Sequence, residues 1–323
     1  MAAKPDAAVR QSRAARRPGV SSSGCCVAVI GLGSMGFGIA RALRHASLDV
    51  VGYDVEPRTV QRFVAEGGRG SATPAEAGAS ADVVVSVVVN AAQTQAVLFG
   101  EHGCAASMPV GSVFVSSATM APEAARELAT RLEATQRHYL DAPMSGGTQR
   151  AMEGELTVLA SGSPEAFAAA RPVLDAMAAT VYELGATPGY GAAFKMINQL
   201  LAGVHIAAAC EAITFAAKQG LDLRRVYEVI TASAGNSWMF ENRVPHVLEG
   251  DYRPRSAVDI FTKDLGIVLD MARAEKFPVP MASAALQLFL MTASAGMGRD
   301  DDASVARLFG RIAGMELPGP EHD

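Results

Sequence analysis

The stretch Val27-Ala28-Val29-Ile30-Gly31-Leu32-Gly33-Ser34-Met35-Gly36 decides how the rest of the chain is read. Four apolar, mostly β-branched residues run into three glycines spaced G-x-G-x-x-G, and Ala40 and Leu43 continue at helical spacing. Glycines at these positions permit a tight turn, close approach of backbone to a pyrophosphate, and close packing of helix on sheet, while the helix N-terminus draws negative charge. Alone, such a motif is weak. Here Asp54 follows the next β-branched run, Asp49 to Tyr53, at the distance of about 20 residues where a carboxylate meets adenosine ribose hydroxyls. The stretch therefore predicts a dinucleotide site built from Gly31, Leu32, Gly33, Ser34, Met35, Gly36 and Asp54. Asp54 and Glu56 repel a 2′-phosphate while Arg58 would pair with one, a balance that points to NAD rather than NADP.

Outward from this stretch, short apolar runs alternate with amphipathic segments: Asp82 to Val89, Val113 to Val115 and Tyr139 to Asp141. Continuous apolar runs separated by helix-length segments predict a parallel sheet covered on both faces. Thr157 to Ala160 and Val181 to Leu184, around a helix from Pro164 to Met177, are expected to extend that sheet. After Thr187-Pro188-Gly189 the pattern changes to helical periodicity, first over Gly191 to Gln219, then over Leu223 to Ala234, Ala257 to Glu275, Met281 to Ala295 and Ala303 to Gly314. The fold class expected is α/β: a Rossmann-type doubly wound parallel sheet over residues 25–187, followed by an all-α domain over 188–323 for substrate binding and oligomerisation. Residues 1–24, with Arg10, Arg13, Arg16 and Arg17 among Ala and Ser, are expected to form a disordered tail.

Composition narrows the function class. Half of the residues are hydrophobic and 19% are charged, which fits packed domains rather than general disorder. A net charge of -5 offers no basic field, so nucleic acid is not expected as a partner. Cys25, Cys26, Cys104 and Cys210 form no C-x-x-C pair and read as free thiols of a reducing, cytoplasmic protein. The least charged stretch, Val279 to Met297, is interrupted by Pro280, Ser283, Gln287, Thr292 and Ser294, so it reads as a buried helix and no membrane partner is expected. There is no H-E-x-x-H zinc motif and no G-x-S-x-G elbow, and no metal is expected.

Two further motifs complete the picture: Asp141-Ala-Pro-Met-Ser145-Gly146-Gly147 after a strand, and Gly189-Tyr-Gly191-Ala-Ala-Phe-Lys195-Met-Ile-Asn198-Gln199 at the start of the long helix. With the glycine loop and Lys263-Asp264-Leu265, all in family order, they resemble the 3-hydroxyisobutyrate dehydrogenase family of β-hydroxyacid dehydrogenases over nearly everything after Gly24. The resemblance implies NAD(P)-dependent alcohol oxidation without metal. It implies Lys195 as the catalytic lysine and Asn198, on the same helix face one turn later, as a substrate contact. It further implies that the loop of Ser145, Gly146 and Gly147 binds the substrate carboxylate through backbone N–H groups, and that Val89, Asn90, Thr94, Thr119 and Lys263 line the cofactor. The sequence departs from the family pattern at Ser116-Ser117-Ala118-Thr119, at Val89-Asn90 and at Gln199.

Lys195 also has a physical reading of its own. An amine near a helix N-terminus and a cationic nicotinamide has its ammonium form disfavoured, which suits a general base. Within the family, Val89-Asn90-Ala-Ala-Gln93, Leu200-Leu-Ala-Gly-Val-His205, and Asn236-Ser237-Trp238-Met239-Phe240 resemble the L-threonate dehydrogenase subgroup. That implies oxidation of a small hydroxy acid at carbon 2, with Asn236 and Ser237 at the substrate or, alternatively, only capping a helix. A glyoxylate or semialdehyde reductase, a phosphogluconate decarboxylase and a non-catalytic dinucleotide scaffold are the rival readings. Retention of Lys195 speaks against the last. The long apolar helix points to a homo-oligomer.

Overall fold

The computed structural model describes residues 10–13 and 24–319. By internal contacts the chain divides into one unit up to Lys195 and a second from Met196 on. The expectation for residues 1–24 falls outside the described residues, except for Gly24 and for Arg10–Arg13, which form strand β1.

The first unit continues with β2 (Cys26–Ile30), α1 (Ser34–His45), β3 (Asp49–Tyr53), α2 (Pro57–Ala65), β4 (Arg69–Gly70), α3 (Pro74–Gly78), β5 (Val83–Ser86), α4 (Ala91–Phe99), β6 (Val113–Ser116), α5 (Pro122–Glu133) and β7 (His138–Asp141). The strands form a parallel six-stranded sheet in the order β4-β3-β2-β5-β6-β7. Successive residues of β2, β5 and β6 enter different cores. Val27, Val29, Val83, Val85, Val113 and Val115 pack on one face, and Ala28, Ile30, Val84 and Phe114 on the other. Both faces are dry, which is why these strands read as unbroken apolar runs rather than alternating ones. The sequence reading carried the fifth strand on to Val89, but pairing stops at Ser86, and Val87 N turns to donate to Ile30 O.

The next elements are β8 (Met144–Ser145), α6 (Gly147–Glu153), β9 (Leu156–Ala160), α7 (Pro164–Met177) and β10 (Ala178–Glu183). Here the expectation of a single extended sheet is corrected. β9 and β10 pair in parallel with each other, β8 pairs antiparallel with β9 and β1 antiparallel with β10, giving a separate mixed sheet in the order β1-β10-β9-β8. The two sheets meet at one bridge, where Asp141 N donates to Ser161 O at 3.0 Å and Ser161 N to Asp141 O at 2.8 Å.

Helix α8 (Tyr190–Lys218) passes from the first unit into the second. The sequence reading placed its start in the second domain. Its opening turn belongs to the first unit because Ala192 lies in the core beneath the six-stranded sheet. By length and composition α8 is apolar enough to cross a membrane, but half of its most apolar window is buried inside the protein.

Among the described residues the second unit is helical: the remainder of α8, then α9 (Leu223–Thr231), α10 (Trp238–Glu249), α11 (Val258–Ala274), α12 (Pro280–Thr292) and α13 (Val305–Ala313). Ile206, Ile213, Val244, Phe261, Leu265 and Phe289 share its core, with the Phe261 and Phe289 rings stacked 5.1 Å apart. α10 was not among the expected helices, since Pro245 interrupts its interior. Two polar pairs fasten it. Arg243 grips Asp302 through Nε at 2.5 Å and Nη2 at 3.1 Å, and His246 Nδ1 lies 2.8 Å from Asp301 Oδ1, with Asp301, Asp302 and His246 all fully buried. Burial pushes the Asp302 carboxyl up to about 6 even beside Arg243. Truncating one member of such a pair strands the other charge, so Arg243→Ala is expected to lose about 3–5 kcal/mol of stability. Thermal denaturation of the full chain measures this, and an unchanged midpoint would contradict it.

Candidate active site

The first group of site residues gathers along the carboxyl edge of the six-stranded sheet, where loops leave parallel strands on one side. At the end of β2, Gly31 has φ +92° and its N–H donates to Tyr53 O at 2.8 Å. A Cβ on Gly36 would stand 1.8 Å from Gly31 O, so only glycine lets α1 start this close to the strand it follows. Gly33, the N-cap of α1, is different: it is exposed and a Cβ there would meet nothing within 4 Å. No side chain caps α1 and no acid occupies its first turn. An open cradle at an uncapped helix N-terminus, lined by exposed Ser34 and half-buried Met35, fits a pyrophosphate.

Asp54 lies just past β3, half-buried, and its carboxylate is tied into this loop. Oδ2 accepts from Leu32 N at 2.7 Å and Oδ1 from Glu56 N at 2.8 Å. It therefore braces the glycine turn. Glu56 in turn caps α2, accepting from Arg58 N at 3.3 Å.

After β5, Asn90 caps α4 by accepting from Gln93 N at 2.9 Å, and Gln93 Oε1 accepts from Val89 N at 2.8 Å. Val89 is exposed, whereas Thr94 is fully buried and donates its hydroxyl to Asn90 O at 3.0 Å. Thr94 thus offers its surroundings no accessible hydroxyl and acts on the Asn90 turn. Thr119 is half-buried in the loop after β6. Beyond β7, Ser145 and Gly146 are half-buried and Gly147 exposed, with positive φ at both glycines (+140° and +77°). A Cβ on Gly147 would meet nothing within 4 Å, again leaving open space beside backbone.

Lys195 lies on the second turn of α8 and is only 8% exposed. The seating of that helix is where the sequence reading missed a residue. Asp141, quoted there only as the head of a motif, is buried at the end of β7, and its Oδ2 accepts from Gly189 N at 2.9 Å, Ala192 N at 2.8 Å and Ser161 Oγ at 3.3 Å. Burial pushes its carboxyl up to about 6 against these hydrogen bonds and the nearby Arg126 charge. An aspartate closing a strand, followed later by a glycine-rich helix start, was the available sequence signal.

The remaining candidates lie in the second unit. Asn198, exposed on α8, donates from Nδ2 to Gln199 Oε1 at 3.0 Å, and buried Gln199 donates from Nε2 to Asp264 Oδ2 at 2.5 Å. Lys263 Nζ lies 2.6 Å from Asp264 Oδ1. These four residues form one polar chain. Asn236 and Ser237 are separate from it: Ser237 caps α10, accepting from Phe240 N at 3.0 Å, and Asn236 Nδ2 donates to Thr231 O at 3.1 Å and Glu241 Oε1 at 2.5 Å. The capping alternative therefore describes what Ser237 does, although Asn236 Oδ1 is buried without a hydrogen-bond partner.

Residues 26–185 match the family described as the NAD binding domain of 6-phosphogluconate dehydrogenase, and residues 189–309 match that of the NAD-binding domain of NADP-dependent 3-hydroxyisobutyrate dehydrogenase. An L-threonate dehydrogenase of Cupriavidus necator is 54% identical over 91% of this chain and 98% of its own length. That of Escherichia coli is 48% identical over 91% and 96%. A crystal structure titled 3-hydroxyisobutyrate dehydrogenase, from Salmonella typhimurium, is 49% identical, covers 88% of this chain and 99% of its own, and superimposes with a TM-score of 0.84.

The glycine loop yields a paired expectation. Gly36→Ala drives a Cβ into Gly31 O and is expected to lower both stability and dinucleotide affinity, whereas Gly33→Ala, pointing into open space, is expected to keep the fold and lose at least about tenfold in affinity, or about 1.4 kcal/mol. Titrating NADH fluorescence alongside thermal melts separates the two, and wild-type affinity in Gly33→Ala would remove the pyrophosphate from this cradle.

Proposed function

The chain belongs to the 3-hydroxyisobutyrate dehydrogenase family, and on that footing we propose that it oxidises the carbon 2 hydroxyl of L-threonate to the 2-oxo acid with NAD as the preferred acceptor. The observation that carries this reading is the presence, within one folded unit, of an open dinucleotide cradle at α1 and a buried lysine on the second turn of α8. A nicotinamide dinucleotide, when bound, supplies the hydride acceptor. The chain's own residues do the rest. Gly31 to Gly36 hold the phosphates, Asp54 meets the adenosine ribose, and Val89, Asn90, Thr119 and Lys263 line the remainder of the cofactor. Backbone at Ser145, Gly146 and Gly147 holds the substrate carboxylate, and Asn198 meets its hydroxyls. Lys195 accepts the proton of the carbon 2 hydroxyl as the C–H bond gives up its hydride, and returns a proton in the reverse reaction.

The preference for NAD rests on charge. Asp54 and Glu56 place two carboxylates at the end of β3, and one of them is held there by Leu32 N. A 2′-phosphate brought to this corner meets both, with Arg58 alone to offset them. The choice of L-threonate rests on the curated relatives at 48–54% identity and on the polar chain Asn198–Gln199–Asp264, which suits a substrate with several hydroxyls. A relative named for 3-hydroxyisobutyrate lies at nearly the same identity, so substrate comparison is the deciding experiment. The four free cysteines fit a reducing compartment, and we place the protein in the cytoplasm. We also assign it as a homo-oligomer, because Ile197, Leu201 and Phe215 leave large apolar side chains exposed along α8.

Lys195→Ala is expected to lose at least about 100-fold in turnover while binding NADH normally. Near-normal turnover in a folded variant would refute the role. Specificity constants for L-threonate, D-erythronate, glycerate and 3-hydroxyisobutyrate, each with NAD and NADP, are expected to rank L-threonate with NAD first. A methyl-bearing acid leaves the site's polar groups unpaired, at about 1–3 kcal/mol each. If 3-hydroxyisobutyrate led the series the substrate assignment would fall, and if NADP matched NAD the cofactor assignment would.

A further inference from the structure

Among the described residues of the first unit Asp141 is the most enclosed carboxylate, at 1% exposure, and its side chain is held by backbone N–H groups and the Ser161 hydroxyl. It closes β7, the last strand of the parallel sheet, and is bridged through both main-chain groups to Ser161 just after β9. Its Oδ2 takes the N–H groups of Gly189 and Ala192, at the start of α8, while Ser161 Oγ donates to the same oxygen and accepts from Gly191 N at 2.9 Å. One side-chain oxygen and one hydroxyl thus hold three of the backbone donors that open this helix. Gly191 is part of the fit, since a Cβ there would stand 2.4 Å from Leu159 O and 2.8 Å from Asp141 O. Lys195 follows Ala192 by three residues, about one helical turn and roughly 4.5 Å of rise.

A buried negative charge at this spot does two things at once. It fixes where the second turn of α8 comes, because the first turn cannot slide or rotate without breaking hydrogen bonds in a dry environment. It also opposes the positive end of the helix dipole, the feature that otherwise disfavours an ammonium at Lys195. We propose that Asp141 is a positioning residue for Lys195, seating the first turn of α8 on the ends of β7 and β9 and supplying the negative charge against which Lys195 titrates. This rests on the reading of Lys195 as the proton-transferring group. The other charged or titratable groups facing Asp141 are Arg126 on α5, which favours its ionised form, and Tyr139 on β7, whose burial drives its own phenol far above the ordinary range and keeps it neutral.

In the reducing direction Lys195 must be protonated, so the rate falls on the alkaline side as Lys195 loses its proton. Asp141 must be ionised to hold the helix start, so the rate falls again on the acid side as it gains one, near pH 6. Replacing the carboxylate by a neutral amide removes the acid limb and, by leaving the helix dipole unopposed, moves the alkaline limb to lower pH. Removing the Ser161 hydroxyl takes away a hydrogen bond that favours ionised Asp141, so the acid limb moves to higher pH.

The experiment is a single-turnover pH profile of the full chain, reducing the 2-oxo acid of its best substrate with NADH, for wild type, Asp141→Asn, Ser161→Ala and Lys195→Ala. The expected result is a bell in the wild type, no acid limb and a lowered alkaline limb in Asp141→Asn with NADH affinity unchanged, and a raised acid limb in Ser161→Ala. A wild-type profile flat from pH 7 down through about 5, or a folded Asp141→Asn with both limbs in place, overturns the proposal. Should Asp141→Asn fail to fold, Ser161→Ala decides: an unmoved acid limb overturns the proposal and a raised one supports it. Lys195→Ala keeps the two readings apart, because near-normal turnover there defeats the lysine assignment itself, whereas an inactive Lys195→Ala with unmoved limbs in the other variants defeats only the role of Asp141.

Discussion

The close approach of Gly36 to the carbonyl oxygen of Gly31 is the constraint from which the first unit is built. A Cβ would have to occupy a point 1.8 Å from that oxygen, so the helix following β2 can begin directly over the strand end only with glycine at this position. That placement turns the N-terminus of α1 toward the open space beside Gly33 and brings Leu32 N within 2.7 Å of the Asp54 carboxylate. Loop, helix start and the end of β3 are thereby one braced corner. The neighbouring parallel strands deliver their own loops to the same edge, so the polar residues that follow β5, β6 and β7 arrive there without any element of their own to aim them.

The sequence displayed the centre of this unit because β2, β5 and β6 are dry on both faces. Valines that alternate between two cores leave an unbroken apolar run, and a run of four or five such residues bounded by polar helices has few other readings. The second sheet was misread as an extension of the first for the same reason. Thr157 to Ala160 and Val181 to Leu184 look like any other buried strand, and nothing local to them states that β8 and β1 flank them antiparallel. α10 was missed because Pro245 argues against a helix, and in the structure the Ser237 cap and the Arg243 and His246 pairs hold the helix around it. Those partners lie more than fifty residues away in the chain, at Asp301 and Asp302, beyond the reach of any periodicity argument.

The site divided along similar lines. The glycine loop and Asp54 were legible because their chemistry depends on spacing within one strand–turn–helix unit. Lys195 and the loop of Ser145 to Gly147 are proposed mainly on family resemblance, with the nearby helix start as a physical argument for Lys195 alone, since a lysine on a helix and a pair of glycines after a strand have many ordinary uses. Asp141 was the least legible. Its acceptor oxygen serves two backbone N–H groups about fifty residues on and a serine twenty residues on, and backbone donors leave no residue type in the sequence to point to them.

The polar chain in the second unit has an orientation, and the orientation has chemical content. A carboxylate at Asp264 accepts only, so Gln199 must turn its amino group toward it, which leaves Gln199 Oε1 to accept from Asn198 Nδ2. Asn198 is then held with its amino group toward Gln199, and its Oδ1 is left as an acceptor on an exposed face of α8. An acceptor fixed in this way recognises a hydroxyl proton and gives nothing to a methyl group. Gln199, where the sequence departs from the family pattern, is one methylene longer than its neighbour Asn198, and this reach lets an amide on α8 span to a carboxylate on α11 while still orienting Asn198. A departure from the family pattern thus becomes the element that sets the polarity of the residue beside it.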